Sequence, residues 1–335
     1  QEKQCEAQCI HLKMNHEPVA IGYLERFVAD HSASLPPYSS TPLPPKIAKI
    51  AVVGSGPSGL SFAGDMAKLG YQVTVFEALH EIGGVLKYGI PEFRLPNRIV
   101  DQEIDNLKQL GIEFKTDIII GKTLTIEDLQ QQGFAGIFVG SGAGLPRFMG
   151  IPGENLNGVL SCNEYLTRVN LMDASSPATD TPLLYGKNVI VVGGGNTAMD
   201  AVRTAKRLGA EHAMIVYRRS EDEMPARIEE VRHAKEEGIE FKFLHAPVEI
   251  YDKDGYVNGM KFEKVLLATD FDGTLKDDFG KIPQNNIDAV KYFMSEGGLF
   301  TVCTGRSYQG FHLYSPEYIN APILLSNGSA AYDYA

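Results

Sequence analysis

Two copies of one pattern constrain the fold of this chain more than any other feature of its sequence. Each copy consists of an apolar strand, a glycine-rich turn, a helix and a second strand. The first copy starts IAKIAVVGSGPSGL at Ile47, and the second starts NVIVVGGGNTAMD at Asn188. Continuous β-branched strands of this kind are typical of parallel sheets that are covered on both faces. The sequence therefore predicts an α/β protein with two Rossmann-like dinucleotide-binding domains.

The first glycine-rich turn has the spacing that admits the diphosphate of a dinucleotide. Gly54, Gly56 and Gly59 form the pattern G-x-G-x-x-G, and Pro57 opens the helix that follows. The first glycine permits the tight turn, the second lets the backbone approach the diphosphate, and the third permits close packing of helix on strand. Glu77, at the end of the second strand, is placed to bind ribose hydroxyls. We predict a nucleotide site here, with a purely structural glycine turn as the alternative.

The second glycine-rich turn, with the pattern G-x-G-x-x-A, leads to a different polar group. Its second strand is followed by two arginines, where the first copy has an acid. A carboxylate would repel a 2′-phosphate, whereas guanidinium groups bind it through paired hydrogen bonds. The pattern predicts selection of NADPH over NADH, with two solvated arginines as the alternative. The predicted contact residues are Gly193, Gly195, Asn196, Thr197, Arg218 and Arg219.

Two such sites on one chain predict hydride transfer between two cofactors. The first site would hold FAD and the second NADPH, and the flavin would take the hydride from the nicotinamide. A further glycine pair, Gly83-Gly84 in the stretch EIGGVLKYGIPEFRLP, fits a loop that approaches the flavin. An ordinary turn fits these two glycines equally well.

A set of motifs spread over residues 1–262 is characteristic of one kind of enzyme subunit. The motifs are CEAQC, HEPVAIGYLERF, GSGPSGL, GGVLKYGIPEFRLP, GAGLPRFMGIPGENLNGV, GGGNTAMDA and YRRSEDEMPAR. Together they resemble the small (beta) subunit of NADPH-dependent glutamate synthase and the related ferredoxin:NADP oxidoreductase subunits. The resemblance implies a flavoprotein in which NADPH reduces FAD and electrons leave through iron–sulfur clusters. It implies a glutamate synthase large subunit or a ferredoxin-type acceptor as partner. The residues implied are Gly54, Gly56, Gly59 and Glu77 for FAD, and Gly195, Asn196, Thr197, Arg218 and Arg219 for NADPH.

Members of that family bind two iron–sulfur clusters through a cysteine-rich N-terminal region. This chain has Cys5 and Cys9 there, and their i, i+4 spacing can place two thiolates on one helix face. A four-iron cluster needs about four ligands, and Cys162 and Cys303 lie in unrelated contexts. We therefore expect Cys5 and Cys9 to be the remnant of a cluster site. We also expect the FAD domain to lack the C-terminal return segment of the family.

The stretch VLLATDFDGTL indicates a different chemistry. An apolar strand leads to Asp270 and Asp272, two residues apart, so that both carboxylates can converge beyond its end. One carboxylate could attack a phosphoryl group and the other could protonate the leaving oxygen, with Mg²⁺ offsetting the charge. A second strand, in GLFTVCTGRS, ends at Thr304, whose hydroxyl can hold a phosphate oxygen.

The motifs DFDGTL, TGRS and SNGS together resemble the start of the haloacid dehalogenase superfamily phosphatases of the Cof-type branch. The resemblance implies Asp270 as nucleophile, Asp272 as acid/base, both as Mg²⁺ ligands, and Thr304 as the second-motif phosphate ligand. The later lysine and acidic metal-binding motif of that family are missing from this sequence. We therefore expect a partial hydrolase-like α/β unit without turnover, and a chain that is a chimera of two incomplete enzymes.

The expected organisation has five parts: a helical iron–sulfur remnant at 1–33, a linker at 34–45, an incomplete FAD domain at 46–154, an incomplete NADPH domain at 155–263, and the hydrolase-like part at 264–335. Further strands are predicted at 117–120 and in GIFVGSGAG from Gly136, and a hairpin is predicted to turn at Asp254-Gly255.

Composition excludes some partners. The net charge of −11 argues against a nucleic-acid or anionic-membrane surface, and no apolar run is long enough to span a membrane. Four cysteines without a disulfide pattern favour a reducing, cytoplasmic compartment.

Overall fold

The computed structural model describes residues 4–32, 48–277, 280–311, 319–326 and 328–333. Contacts divide the chain into two compact units: Gln1–Lys87 with Glu92–Ala143, and Tyr88–Pro91 with Gly144–Ala335. The linker expected at 34–45 lies outside the described residues. The domain boundaries expected after residues 154 and 263 both fall within the second unit, and they stay predictions.

The first unit contains a four-stranded parallel sheet in the order β3-β2-β1-β4. Its strands are apolar on both faces: Ala51 and Val52 of β1 and Val75 of β2 are fully buried, as the sequence pattern requires. The helices are α1 (Gln4–Ala7), α2 (Ile10–Lys13), α3 (Ile21–Ser32), α4 (Pro57–Lys68), α5 (Val85–Tyr88), α6 (Asn97–Gln109) and α7 (Ile126–Gln131), and the strands are β1 (Lys49–Val53), β2 (Gln72–Phe76), β3 (Glu113–Lys115) and β4 (Phe134–Val139).

The strand predicted at 117–120 is wrong, whereas the one predicted from Gly136 is confirmed within β4. Asp117 has a φ of 59°, which an extended strand does not allow. The segment forms only an isolated bridge, between Ile120 and Leu124. The outer strand of the sheet is the preceding segment, β3.

The second unit begins with the second copy of the repeated pattern, folded as a three-stranded parallel sheet in the order β5-β6-β7. The predicted hairpin follows and is confirmed, with φ values of 55° at Asp254 and 83° at Gly255 in its turn. The elements are α8 (Cys162–Asn170), β5 (Asn188–Val192), α9 (Asn196–Arg207), β6 (His212–Val216), a 3₁₀ turn (Glu221–Glu223), α10 (Ile228–Glu236), β7 (Glu240–Lys242), β8 (His245–Lys253) and β9 (Tyr256–Lys264).

A further sheet follows the hairpin directly, with Val265 alone between β9 and the next strand. Its order is β10-β11-β12-β13, with only β13 antiparallel. A separate core holds it together, centred on Phe271, Phe300 and Ile323. The elements are β10 (Leu266–Asp270), α11 (Gln284–Ser295), β11 (Leu299–Cys303), α12 (Tyr308–Phe311), β12 (Ile323–Leu325) and β13 (Ala330–Tyr332).

The two repeated patterns differ in the strand beside their first strand. In the first unit β4 pairs with the outer edge of β1. In the second unit the outer edge of β5 pairs with no strand of the described residues, because the strand after the hairpin, β10, pairs with β11. The change of sequence character after residue 263 therefore moves one strand from one sheet to another.

A buried ion-pair network joins α9 to α10. The side chain of Arg203 is 6% exposed and pairs with Glu230 and, at 2.9 Å, with Glu237. Arg207 also pairs with Glu237, at 2.7 Å. Burial raises the pKa of Glu237, but hydrogen bonds and charge from the two arginines outweigh it and leave the pKa lowered. The charges are therefore paired inside the helix interface, where an unpaired charge would be costly.

We expect Arg203→Ala to lower the free energy of unfolding by about 3 kcal/mol, because it leaves Glu230 charged and unpaired in the interior. Arg232→Ala is the matched control, since Arg232 and its partner Glu236 are 67% and 62% exposed. Its effect should be below about 0.5 kcal/mol. Urea unfolding of the two variants measures the difference, and equal effects would contradict a stabilising role for the buried network.

Candidate functional site

The first glycine-rich turn is a crossing point of backbone segments. Gly54 has a φ of 96°, and a Cβ there would lie 2.5 Å from the carbonyl oxygen of Gly140. A Cβ on Gly59 would lie 2.0 Å from the carbonyl oxygen of Gly54. By contrast, no atom lies within 4 Å of a Cβ on Gly56. The outer glycines are needed for packing, and the middle one faces open space directly before α4, where Pro57 is the first residue.

A hydrogen-bonded relay connects this turn to the end of β2 and to the second glycine pair. Glu77 is 7% exposed, and one of its carboxylate oxygens accepts hydrogen bonds from the backbone and the hydroxyl of Ser55. The Ser55 hydroxyl in turn accepts the N–H of Gly83 at 2.9 Å. A Cβ on Gly84 would lie 2.9 Å from the Cα of Gly56. The structure thus brings Glu77, Gly84 and the glycine-rich turn together.

The second glycine-rich turn repeats this geometry. Gly193 has a φ of 141°, and a Cβ on Gly194 would lie 2.7 Å from the ring of Tyr217. Gly195, which precedes α9, has no atom within 4 Å of a Cβ. Asn196 and Thr197 form the first turn of α9, and Thr197 is exposed. The open position again lies at a helix N-terminus, where unpaired N–H groups favour an anion.

Arg218 and Arg219 lie just beyond the end of β6, and both are exposed. Neither guanidinium group forms a hydrogen bond or ion pair with another described residue. Two adjacent cations without an internal partner are available to an anionic group of a ligand.

The hydrolase-like sheet brings its three predicted residues to one edge. Asp270 ends β10 opposite Cys303 of β11, and Thr304 follows Cys303. Asp270 is exposed, whereas Thr304 is 3% exposed, and its hydroxyl accepts the N–H of Arg306 at 3.3 Å.

Two cations at this edge were not predicted. Arg306 donates two hydrogen bonds of 2.7 Å to Asp272, one to each carboxylate oxygen. Lys276 lies 3.7 Å from the same carboxylate. The hydrogen bonds from Arg306 lower the pKa of Asp272. The available signals were the arginine two positions after Thr304 in TGRS and the i, i+4 spacing of Asp272 and Lys276.

Comparison with known families places most of the chain in one of them. The model of the pyridine nucleotide-disulphide oxidoreductase family matches residues 48–273, which is more than half of the chain. The chain belongs to this family. A second model, haloacid dehalogenase-like hydrolase, matches residues 267–335. The predicted change from one kind of enzyme to another is therefore confirmed, and the two matches overlap only at 267–273.

Curated members of the oxidoreductase family include the relatives that the motifs predicted. The chain is 35% identical over 275 residues to glutamate synthase [NADPH] small chain of Escherichia coli (strain K12), covering 80% of this chain and 57% of the relative. It is 34% identical over 314 residues to NADP(+)-dependent formate dehydrogenase subunit beta of Moorella thermoacetica, covering 87% and 42%. The chain spans about half the length of the curated relatives it matches, between 42% and 63% for the first three.

Solved structures support the fold class. FprA from Mycobacterium tuberculosis, as a His57Gln mutant, superimposes with a TM-score of 0.57 at 20% identity, covering 65% of this chain and 64% of that one. FprA in complex with NADPH gives 0.53 at 18% identity, covering 66% and 69%. With the two family matches, these structures confirm the predicted α/β class, with Rossmann-like parts and a hydrolase-like part. No helix within the described ranges is long and apolar enough to cross a membrane.

The described residues of this family member do not fit an iron–sulfur cluster or a Mg²⁺ site. They contain no group of three or more His, Cys, Asp or Glu side chains that could hold a metal ion. Cys5 lies in α1, whereas Cys9 precedes α2 with extended backbone, so the expectation of one shared helix face is wrong. Burial raises the pKa of Cys162 to about 11, which disfavours a thiolate ligand. In the hydrolase-like part, both carboxylate oxygens of Asp272 are already bonded to Arg306.

We expect Arg306→Ala to raise the pKa of Asp272 toward its ordinary value, as followed by NMR titration of the carboxyl carbon. The lowered pKa means that the Asp272–Arg306 pair stabilises the fold above the unfolded-state pKa. This contribution is lost as the pH falls through the folded-state value. Lys276→Met is the matched control and should raise the pKa less, because Lys276 contributes less than the Arg306 hydrogen bonds. An unchanged titration in the Arg306 variant would contradict the pairing.

Proposed function

We propose that this chain is the nucleotide-binding part of an NADPH-dependent flavoprotein oxidoreductase of the glutamate synthase small-subunit type. One observation carries the proposal: both glycine-rich turns have an open middle position, Gly56 and Gly195, in front of a helix N-terminus. A diphosphate is the ligand that such a position suits. The two turns differ only in the polar groups that follow their second strands, which supports two different dinucleotides.

The first site suits FAD. The backbone at Gly56 and Pro57 would hold the diphosphate, and Gly84 lies against the same turn. Glu77 would accept ribose hydroxyls, because each carboxylate oxygen has two acceptor positions and the second oxygen accepts only the N–H of Leu79, at 3.0 Å, from the described residues. Ser55 fixes the orientation of that carboxylate. When bound, FAD would supply the acceptor of a hydride.

The second site suits NADPH. Gly193, Gly195, Asn196 and Thr197 would hold the diphosphate at the N-terminus of α9. Arg218 and Arg219 would bind the 2′-phosphate, and their exposure without an internal partner among the described residues supports this role. NADPH would supply the hydride.

Electrons would leave this chain for an acceptor that it does not itself contain in its described part. The proposed acceptor is an iron–sulfur or flavin group of a glutamate synthase large subunit, or a ferredoxin-type protein. Support comes from the relatives, which are named as a small chain and as a beta subunit. All four cysteines are unpaired thiols, which supports the reducing, cytoplasmic location expected from the sequence.

For the hydrolase-like part we propose a catalytically incomplete unit rather than a Mg²⁺-dependent phosphatase. A general acid must carry a proton near neutral pH, whereas Arg306 lowers the pKa of Asp272. The alternative would be supported by hydrolysis of p-nitrophenyl phosphate that Asp270→Asn abolishes.

Gly56→Val and Gly195→Val form a reciprocal pair that tests the two sites. Each adds a side chain where no atom lies within 4 Å, so the fold should persist while the diphosphate is excluded. We expect Gly56→Val to lower flavin content about tenfold and leave NADPH affinity unchanged. Gly195→Val should have the opposite effect. Flavin absorbance and NADPH titration measure both, and loss of both cofactors in both variants would argue against separate sites.

Arg218→Ala combined with Arg219→Ala should weaken NADPH binding by about 10- to 100-fold, since charge-assisted hydrogen bonds contribute about 1.5–3 kcal/mol. NADH lacks the 2′-phosphate, so its affinity should change little. Calorimetric titration with the two cofactors gives the ratio, with Arg232→Ala as an exposed control arginine. Equal losses for NADPH and NADH would remove the 2′-phosphate assignment.

A further inference from the structure

The segment between β6 and α10 is fastened onto the second glycine-rich turn at three points. The ring of Tyr217 covers Gly194. The N–H of Ala226 donates to the carbonyl oxygen of Gly194 at 3.0 Å. The N–H of Arg227 donates to the side-chain oxygen of Asn196, also at 3.0 Å. Because Asn196 is the first residue of α9, these contacts bring the backbone of Arg227 to the open end of that helix.

The side chain of Arg227 lacks a partner of its own. Its Nε atom is buried and forms no hydrogen bond within the described part of the chain. Neither its guanidinium nitrogens nor its charge are paired with a described acid. Buried polar atoms in native proteins are almost always hydrogen-bonded, and a buried donor of a charged group is the most costly to leave unpaired. An orphaned arginine donor beside an anion-binding turn therefore points to an anionic ligand.

Position separates Arg227 from the other two arginines of this site. Arg218 and Arg219 follow β6, at the end where the adenosine ribose of a dinucleotide is bound. Arg227 is tied instead to Asn196, next to the open position at Gly195 where a diphosphate is held. NADPH and NADH carry the same diphosphate and differ only in the 2′-phosphate. A residue at the diphosphate would therefore act on both cofactors alike.

We propose that Arg227 binds the diphosphate of the nicotinamide dinucleotide, so that it sets the affinity of the second site without contributing to its choice between NADPH and NADH. This inference rests on the proposed function, since it assumes that the second turn binds a nicotinamide cofactor. It divides the arginines of the site into a selective pair, Arg218 and Arg219, and a non-selective one.

The test measures the dissociation constants of NADPH and NADH separately, by calorimetric titration of the full chain. Arg227→Gln should weaken both by a similar factor, about 10- to 100-fold, and leave their ratio unchanged. Arg227→Lys keeps the charge but loses the planar fork of donors, so it should weaken both cofactors by a smaller, again equal, factor. Arg232→Gln, on the exposed face of α10, is the matched control and should change neither constant.

The outcomes separate the inference from the proposed function. Unchanged affinities in Arg227→Gln, or a loss confined to NADPH, would overturn the role of Arg227 while the proposed function stands. Failure of the unsubstituted chain to bind either cofactor would overturn both. Thermal unfolding shows whether Arg227→Gln is folded, and if it is not, the equal loss expected of Arg227→Lys decides the matter.

Discussion

Close approach of backbone to backbone at the first glycine-rich turn is the constraint on which the first unit depends. The positions of Gly54 and Gly59 have no room for a Cβ, because Gly140 at the end of β4 and Gly54 itself occupy the space. This crowding pulls β1, β4 and α4 to one point and leaves the helix N-terminus uncovered at Gly56. The same tight packing that closes the sheet therefore creates the open position beside it.

The second turn follows the same plan but secures it with side chains. Ala198 stands where the first turn has a third glycine, and the ring of Tyr217 covers Gly194. In the first turn the serine–glutamate relay connects the loop to β2, whereas in the second the segment after β6 folds back onto the loop through Ala226 and Arg227. One backbone arrangement thus accommodates an acidic and a basic specificity group.

Sequence patterns were sufficient where a single local constraint decides the structure. The glycine spacing, the apolar strands and the Asp254-Gly255 turn each have one physical interpretation, and each prediction agrees with the structure. The segment 117–120 was misassigned because a short apolar run does not exclude the left-handed φ at Asp117. Arg227 and Arg306 were missed because their importance comes from partners distant in sequence, Asn196 and Asp272, which only the folded chain brings near. The cofactor roles of the glycines, Glu77 and the arginine pair stay predictions.

The transfer of β10 to the hydrolase-like sheet has a consequence for the sheet it leaves. The outer edge of β5 keeps a row of backbone donors and acceptors that no strand of the described residues satisfies, and Ile190 on this strand is 37% exposed. A bare edge of this kind is a template for intermolecular strand pairing. Concentration-dependent self-association of this chain would therefore begin at β5, away from either glycine-rich turn's ligand, and a lysine or proline introduced along that strand would be the remedy for a solution that clouds on storage.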